Sequence, residues 1–198
     1  MNRNVVIQKL NSNSKRKIVI SDIHGNLDLY IKLLNKIKYQ PNKDCLILLG
    51  DLIEKGPKNL ETLHYIMLQT KTEDVHCIMG NCDFIAKNVL YSYRLDFLKH
   101  VLSFRKESLI HEMAKSLNIE ITQNSNMSDV CQILRKHYLD ELCFLNDLPH
   151  VLEDEKHIYV HAGIESNENY GTDFKQVMTH AFFLETNQVF KKNIIVGH

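Results

Sequence analysis

Apolar residues along this chain follow two different periods. Short runs rich in Ile, Val and Leu at positions 18–20, 46–49, 75–79, 158–160 and 194–196 are each stopped by glycine or polar residues. Such runs read as buried strands. A further short run at 150–152 predicts another. Between the first three, Leu27, Tyr30, Ile31, Leu33, Leu34 and Ile37 recur at helical spacing. Leu60, Leu63, His64, Ile66, Met67 and Leu68 do the same after Pro57. With a turn at Asn42-Lys43-Asp44, the order strand–helix–strand–helix–strand predicts an α/β layered fold.

From residue 84 to 148 the pattern becomes helical throughout. Phe97, Leu98, Val101, Leu102 and Phe104 predict one helix, and Leu109, Ile110, Met113 and Leu117 a second. Val130, Ile133, Leu134 and Tyr138 predict a third, with Ser128 or Asp129 as its N-cap. Leu142, Phe144, Leu145 and Leu148 carry the pattern on to Pro149. No polar linker separates this stretch, so it reads as a helical insertion within one domain spanning residues 1–198. Residues 1–15 fit an edge strand or a loose arm equally well. No internal repeat stands out.

Composition narrows the function classes. A chain of 198 residues supports one domain with a substantial core. Its 24 basic and 24 acidic residues cancel, which supplies no general attraction to nucleic acid or membrane. No run approaches the roughly 18 apolar residues of a membrane span. The local clusters Lys15-Arg16-Lys17 and Lys191-Lys192 read as solvated surface. Five cysteines, an odd count without C-x-x-C spacing, favour a reducing compartment, and the expectation is a cytoplasmic protein. Cys45 and Cys77 read as core thiols.

What gives the strands chemical meaning is how they end. They lead into Asp22-Ile23-His24-Gly25, Gly50-Asp51, Gly80-Asn81-Cys82-Asp83, His161-Ala162-Gly163 and Gly197-His198. Each motif alone is ordinary turn chemistry. Five in one order bring carboxylate, imidazole and amide donors to one end of a sheet, a mixture suited to Mn, Fe or Zn. Two such ions about 3.5–4 Å apart hold a water as hydroxide and neutralise a phosphoryl group during in-line attack.

Together these motifs, with Gly56-Pro57 following Asp51, resemble those of the calcineurin-like metallophosphoesterases over a span from about Lys17 to the last residue. Leu145, Leu148 and Pro149 ahead of His161 resemble the bacterial phosphoprotein phosphatase type, which includes the diadenosine tetraphosphate hydrolases. The Gly80-Asn81-Cys82-Asp83 motif resembles small bacterial phosphodiesterases of the same superfamily. The resemblance implies a four-layer αββα sandwich and two divalent metal ions, Mn first with Fe or Zn as alternatives. It implies Asp22, His24 and Asp51 as ligands of one ion, and Asp51, Asn81, His161 and His198 as ligands of the other, bridged by Asp51. Asp51, Asn81, Asp83 and Lys55 are the expected catalytic residues.

Three departures bear on activity. Cys82 stands where the phosphatases carry a histidine that assists the leaving oxygen, and a neutral thiol hydrogen-bonds weakly. It reads as a small buried filler rather than a nucleophile. Glu54-Lys55 replaces Asp-Arg, so a planar fork for phosphate becomes a single mobile charge. The chain ends on His198, where family members continue, so the C-terminal end of the family fold is expected to be missing.

The resulting expectation is a metal-dependent hydrolase of a phosphomonoester, resembling a serine/threonine phosphoprotein phosphatase and acting through a metal-bridging hydroxide. The alternatives are a phosphodiesterase or dinucleoside polyphosphate hydrolase, or a binding module that keeps the fold but little activity. The expected partner is a phosphorylated protein or small molecule, with no membrane and, on charge, no nucleic acid. Among the remaining histidines, His150 and His180 come within reach of the cleft, but with eleven in the chain none of these is expected to be a site residue.

Overall fold

The computed structural model describes residues 5–12, 14, 16–98, 102, 108–167, 170, 174–180 and 189–198. Strands β2 (Arg16–Ile20), β3 (Asp44–Leu48) and β4 (Val75–Cys77) lie parallel in that order. A second sheet has the order β1 (Ile7–Lys9), β5 (Val151–Glu153), β6 (His157–Val160) and β7 (Asn193–Val196). Only its β5–β6 pair is antiparallel. The N-terminal stretch thus supplies an edge strand, with Ile7 opposite Val151. Residues 1–4 lie outside the described residues.

Strand alternation separates the layers. Cys45, Ile47 and Leu49 meet Leu152 and Tyr159 in a core between the two sheets, flanked by Val19 and Ile195. Leu46 and Leu48, out of phase by one residue, join a larger core with Tyr30 and Leu34 of α1 (Leu27–Lys36) and Leu63 and Ile66 of α2 (Asn59–Thr72). Every residue of β3 is buried, because sheet and helices cover its two faces. On the other sheet, Val151, Ile158 and Val160 share a core with Val177 and Met178 of α7 (Phe174–Thr179). The order of layers is helix, sheet, sheet, helix.

The insertion comprises α3 (Asn81–Leu90), a 3₁₀ turn at Leu95–Phe97, α4 (Leu109–Ser116), α5 (Met127–His137) and α6 (Leu139–Asp147). Two expectations change here. The helical region begins at Asn81, three residues before the expected boundary, so the Asn81-Cys82-Asp83 motif forms the first turn of α3. That helix buries Asp83, Lys87 and Asn88 beside its apolar residues, which hides its apolar periodicity. The cap of α5 is Asn126, whose side chain accepts the Ser128 N–H at 3.2 Å; Ser128 and Asp129 already lie inside the helix. Of the helix expected from Phe97, Val101 and Phe104 lie outside the described residues.

A carboxylate of the insertion binds the start of helix α2. Glu112 of α4 accepts the Asn59 N–H at 2.8 Å and the Leu60 N–H at 2.7 Å. These are the unpaired amides that open α2, and a carboxylate there complements the helix dipole. The charged segments near β2 and β7 are likewise engaged. Arg16 Nε donates to Asp44 at 2.8 Å, Lys17 to Asp154 at 2.6 Å, and Lys192 to the Asp154 carbonyl at 2.6 Å. Lys15 lies outside the described residues.

Candidate metal centre

The C-terminal ends of β2, β3, β4, β6 and β7 open onto one place. Backbone hydrogen bonds knit the loops together: His24 N–H donates to the Asp51 carbonyl at 2.9 Å, Gly25 N–H to Leu52 at 3.0 Å, and Gly197 N–H to His161 at 2.8 Å. The fit is close enough to require glycine at several positions. A Cβ on Gly56 would collide with the His24 carbonyl oxygen, and one on Gly80 with the Asp51 amide and carboxylate. Nine non-glycine residues have positive φ among the described residues; Asp22, His24, Asp51, Glu54, Lys55 and His198 are six of them. Left-handed backbone at such residues costs on the order of 1–3 kcal/mol each and persists where the surroundings impose it.

Asp51 is central and buried. Its Oδ1 accepts the Cys82 N–H at 2.8 Å and lies 3.6 Å from His161 Nε2, while Oδ2 lies 3.5 Å from His24 Nε2. Asp22 Oδ1 is 3.6 Å from His24 Nε2, and a carboxylate oxygen of Asp22 also groups with Asp51 and His161 within 4.8 Å. His161 Nε2 stands 3.1 Å from both Asn81 Oδ1 and His198 Nδ1. The structure therefore brings Asp22, His24, Asp51, Asn81, His161 and His198 around one point.

The donor chemistry tests whether a cation fits. His161 Nδ1 is 2.6 Å from the Leu49 carbonyl, an oxygen that can only accept, so Nδ1 carries the proton. Nε2 is then a bare lone pair facing the Asn81 carbonyl oxygen. Burial lowers the His161 pKa, against the raising influence of Asp51 and Leu49. His24 follows the same plan, with Nδ1 3.4 Å from the Ile53 carbonyl. Two acceptors aimed at one another beside the buried Asp51 carboxylate are repulsive without a positive charge between them. Divalent cations satisfy that arrangement. Lys55, although exposed, brings its ammonium 3.3 Å from His24 Nε2.

Around this set, Asp22 takes a hydrogen bond from Ser21 Oγ and one from the His198 N–H at 3.1 Å. Burial raises the Asp22 pKa, but those two bonds and the nearby His161 and His24 outweigh it and hold the group below the usual range. Asp83 is fully buried and spends its oxygens on Leu52 N–H at 2.9 Å, Ile53 N–H at 3.3 Å and Gly80 N–H at 2.9 Å. Its expected catalytic contact gives way to backbone bonding. The Cys82 thiol is buried, and burial with the charge of Asp51 raises its pKa, which suits a filler better than a nucleophile.

Other histidines are engaged elsewhere. His150 Nδ1 accepts the Val6 N–H at 3.0 Å beside the edge strand. His64 meets Glu141 at 2.7 Å, and His157 meets Asp154 at 3.1 Å. Sequence reasoning missed Ser21, the Leu49 carbonyl and Glu112. Backbone carbonyls leave no trace in residue identity, and Ser21 adjoins its motif without belonging to its spacing.

Residues 15–198 match the calcineurin-like phosphoesterase family. The chain belongs to that family. A symmetrical bis(5'-nucleosyl)-tetraphosphatase of Buchnera aphidicola is 34% identical over 101 residues, covering 51% of this chain and 33% of the relative. The protein of that name from Escherichia coli is 40% identical over 65 residues, 33% of this chain and 22% of the relative. These matches thus span a third or less of the relatives' length. Among solved structures, one provisionally assigned as a diadenosine tetraphosphatase superposes with a TM-score of 0.58 at 19% identity, covering 88% of this chain and 63% of that one. A cold-active protein-tyrosine phosphatase of a Shewanella species gives 0.54 at 17% identity, covering 93% and 61%. At those identities the likeness is one of fold. Members of this metallophosphoesterase family use divalent metal ions.

Proposed function

We propose that this chain is a metal-dependent phosphoric ester hydrolase whose preferred substrate is a dinucleoside polyphosphate. The observation carrying the chemistry is the convergence of six donor residues around Asp51 and His161, with imidazole nitrogens and the Asn81 carbonyl oxygen facing inward. Asp22, His24 and Asp51 would hold one ion, and Asp51, Asn81, His161 and His198 the other. Two divalent ions held there would activate water and neutralise charge on the phosphoryl oxygens.

The chain's own groups do the positioning. The Leu49 carbonyl orients His161, and Asp83 holds the amides of Leu52 and Ile53 so that Asp51 keeps its place. Asp83 is therefore a positioning residue. Lys55 offers a mobile positive charge at the rim, suited to a phosphate oxygen without fixing its orientation. Mn is the metal we favour, with Fe or Zn as alternatives.

Substrate preference follows from Cys82. A buried thiol is a poor proton donor to a departing oxygen. An alkoxide from a phosphorylated serine needs such a proton, whereas a nucleoside diphosphate leaves as a stable anion. The relatives named as symmetrical tetraphosphatases support the same choice. The second reading, a phosphomonoesterase acting on phosphoprotein, draws on the motif order that resembles bacterial phosphoprotein phosphatases.

Hydrolysis of diadenosine tetraphosphate, p-nitrophenyl phosphate, its bis ester and a phosphoseryl peptide with Mn²⁺ separates these readings. The expected order places the tetraphosphate first and the peptide last, with Asp51→Asn inactive on all. A faster peptide favours the second reading. Equal rates in Asp51→Asn, or none with Mn, Fe or Zn, would overturn the enzyme and leave a binding module.

A further inference from the structure

A second group of metal-type donors meets at the other end of the parallel sheet. Cys45 Sγ, a His76 ring nitrogen and an Asp74 carboxylate oxygen all lie within 4.8 Å of one another. Strand pairing causes this. Leu46 is opposite Val75 and Ile47 opposite His76, so Cys45 stands beside Asp74, and the Leu46 N–H donates to the Asp74 carbonyl at 2.9 Å. Alternation along the strands then puts Cys45, Asp74 and His76 on the same face. Asp51 lies beyond the C-terminal end of β3, whereas Cys45 is near its start.

The carboxylate is already aimed. Ser12 Oγ and Ser14 Oγ donate to Asp74 Oδ2 at 2.5 and 2.7 Å, which leaves Oδ1 2.9 Å from His76 Nε2. Outer hydrogen bonds of this kind orient metal-binding carboxylates. Access is open on one side. The side chains of His76 and Asp74 are 23% and 28% exposed, while Cys45 is fully buried and forms the floor.

We propose that Cys45, Asp74 and His76 bind one zinc-class divalent ion, with water completing a tetrahedron. One sulfur, one nitrogen and one oxygen donor suit Zn²⁺ and exclude the hard ions that prefer oxygen alone. On binding, the thiol proton passes to solvent and sulfur bonds the metal; the proton His76 Nε2 shares with Asp74 moves to solvent or to Nδ1, and that hydrogen bond gives way to one metal–nitrogen and one metal–oxygen bond. Because Ser12 and Ser14 precede β2, the ion pins the connection from β1 to the sheet.

Cobalt titration tests the site, since a thiolate ligand produces a sulfur-to-cobalt charge-transfer band in the near ultraviolet. Cys82 adjoins the other centre, so Cys82→Ser serves as the control. The band is expected in the full chain and in Cys82→Ser, and absent in Cys45→Ser. His76→Gln should bind Co²⁺ more than about 100-fold more weakly, because losing outer partners alone costs about 10–100-fold, and Ser12→Ala about tenfold more weakly. Should Cys45→Ser fail to fold, His76→Gln decides the matter, its side chain being partly exposed. A band that never forms, that vanishes only in Cys82→Ser, or that survives His76→Gln at full affinity overturns the proposal.

Discussion

Asp83 Oδ1 accepts the Leu52 backbone N–H at 2.9 Å, tying the first turn of α3 to the loop after β3 across 31 residues of sequence. Two further amides, Ile53 and Gly80, share the same carboxylate. Asp83→Ala should leave these buried donors without a partner, at about 1–3 kcal/mol each before relaxation. The expected loss is about 2–4 kcal/mol in urea denaturation, together with a fall in kcat from displacement of Asp51. An unchanged denaturation midpoint would remove the positioning role.

Glu112 caps the α2 amides from within the insertion. Glu112→Ala should cost about 1–2 kcal/mol, the usual scale for a lost cap, and Glu112→Gln less. Asn59 lies against Gly25, so the first substitution should also disturb the loop that carries His24. Thermal melts of both variants, with activity measured in parallel, check this. Loss of activity without loss of stability would contradict it.

Glu54 is buried, its Oε2 has no hydrogen-bond partner among the described residues, and its Oε1 accepts the Leu109 N–H at 3.2 Å. Burial pushes its pKa up to about 8, with the Leu109 bond opposing and the charges of Asp83, Glu112 and Asp51 adding to the rise. An unfolded chain releases this proton near 4.5. Between those two values the native state holds more protons, so stability falls as pH rises, by up to about 1.4 kcal/mol per pH unit. Glu54→Gln should match the parent near pH 4.5 and exceed it at pH 8. Urea denaturation in EDTA at both pH values reads this out; parallel profiles would refute it.

Asp51 touches both halves of the donor set, whereas His24 touches one. Asp51→Asn should therefore weaken both metal ions by about 100-fold or more, a larger effect than loss of an outer partner. His24→Gln should weaken one ion and spare the other. Elemental analysis after dialysis against limiting Mn²⁺ measures the stoichiometry. Loss of only one ion from Asp51→Asn would rule out the bridge.

Much of this arrangement was legible in residue order. The runs at 18–20 and 46–49 are short and continuously apolar, as strands buried on both faces are, and the donors follow them directly, because parallel strands deliver their C-terminal ends to one edge. The start of α3 was not legible. Its polar positions Asp83, Lys87 and Asn88 are buried by partners distant in sequence, so they break the apolar period that marks a helix. The cap of α2 was equally hidden, because Glu112 comes from a different helix.

The sequence by itself determined the layered α/β plan and the donor types at five strand ends, since both depend on local periodicity and residue chemistry. Tertiary structure alone decided which nitrogen of His161 faces inward, that Asp83 bonds backbone amides, and that Cys45, Asp74 and His76 meet. Each of these depends on a backbone carbonyl, a burial or a strand register supplied by another part of the chain. Such partners act through space, and nothing in the neighbouring residues specifies them.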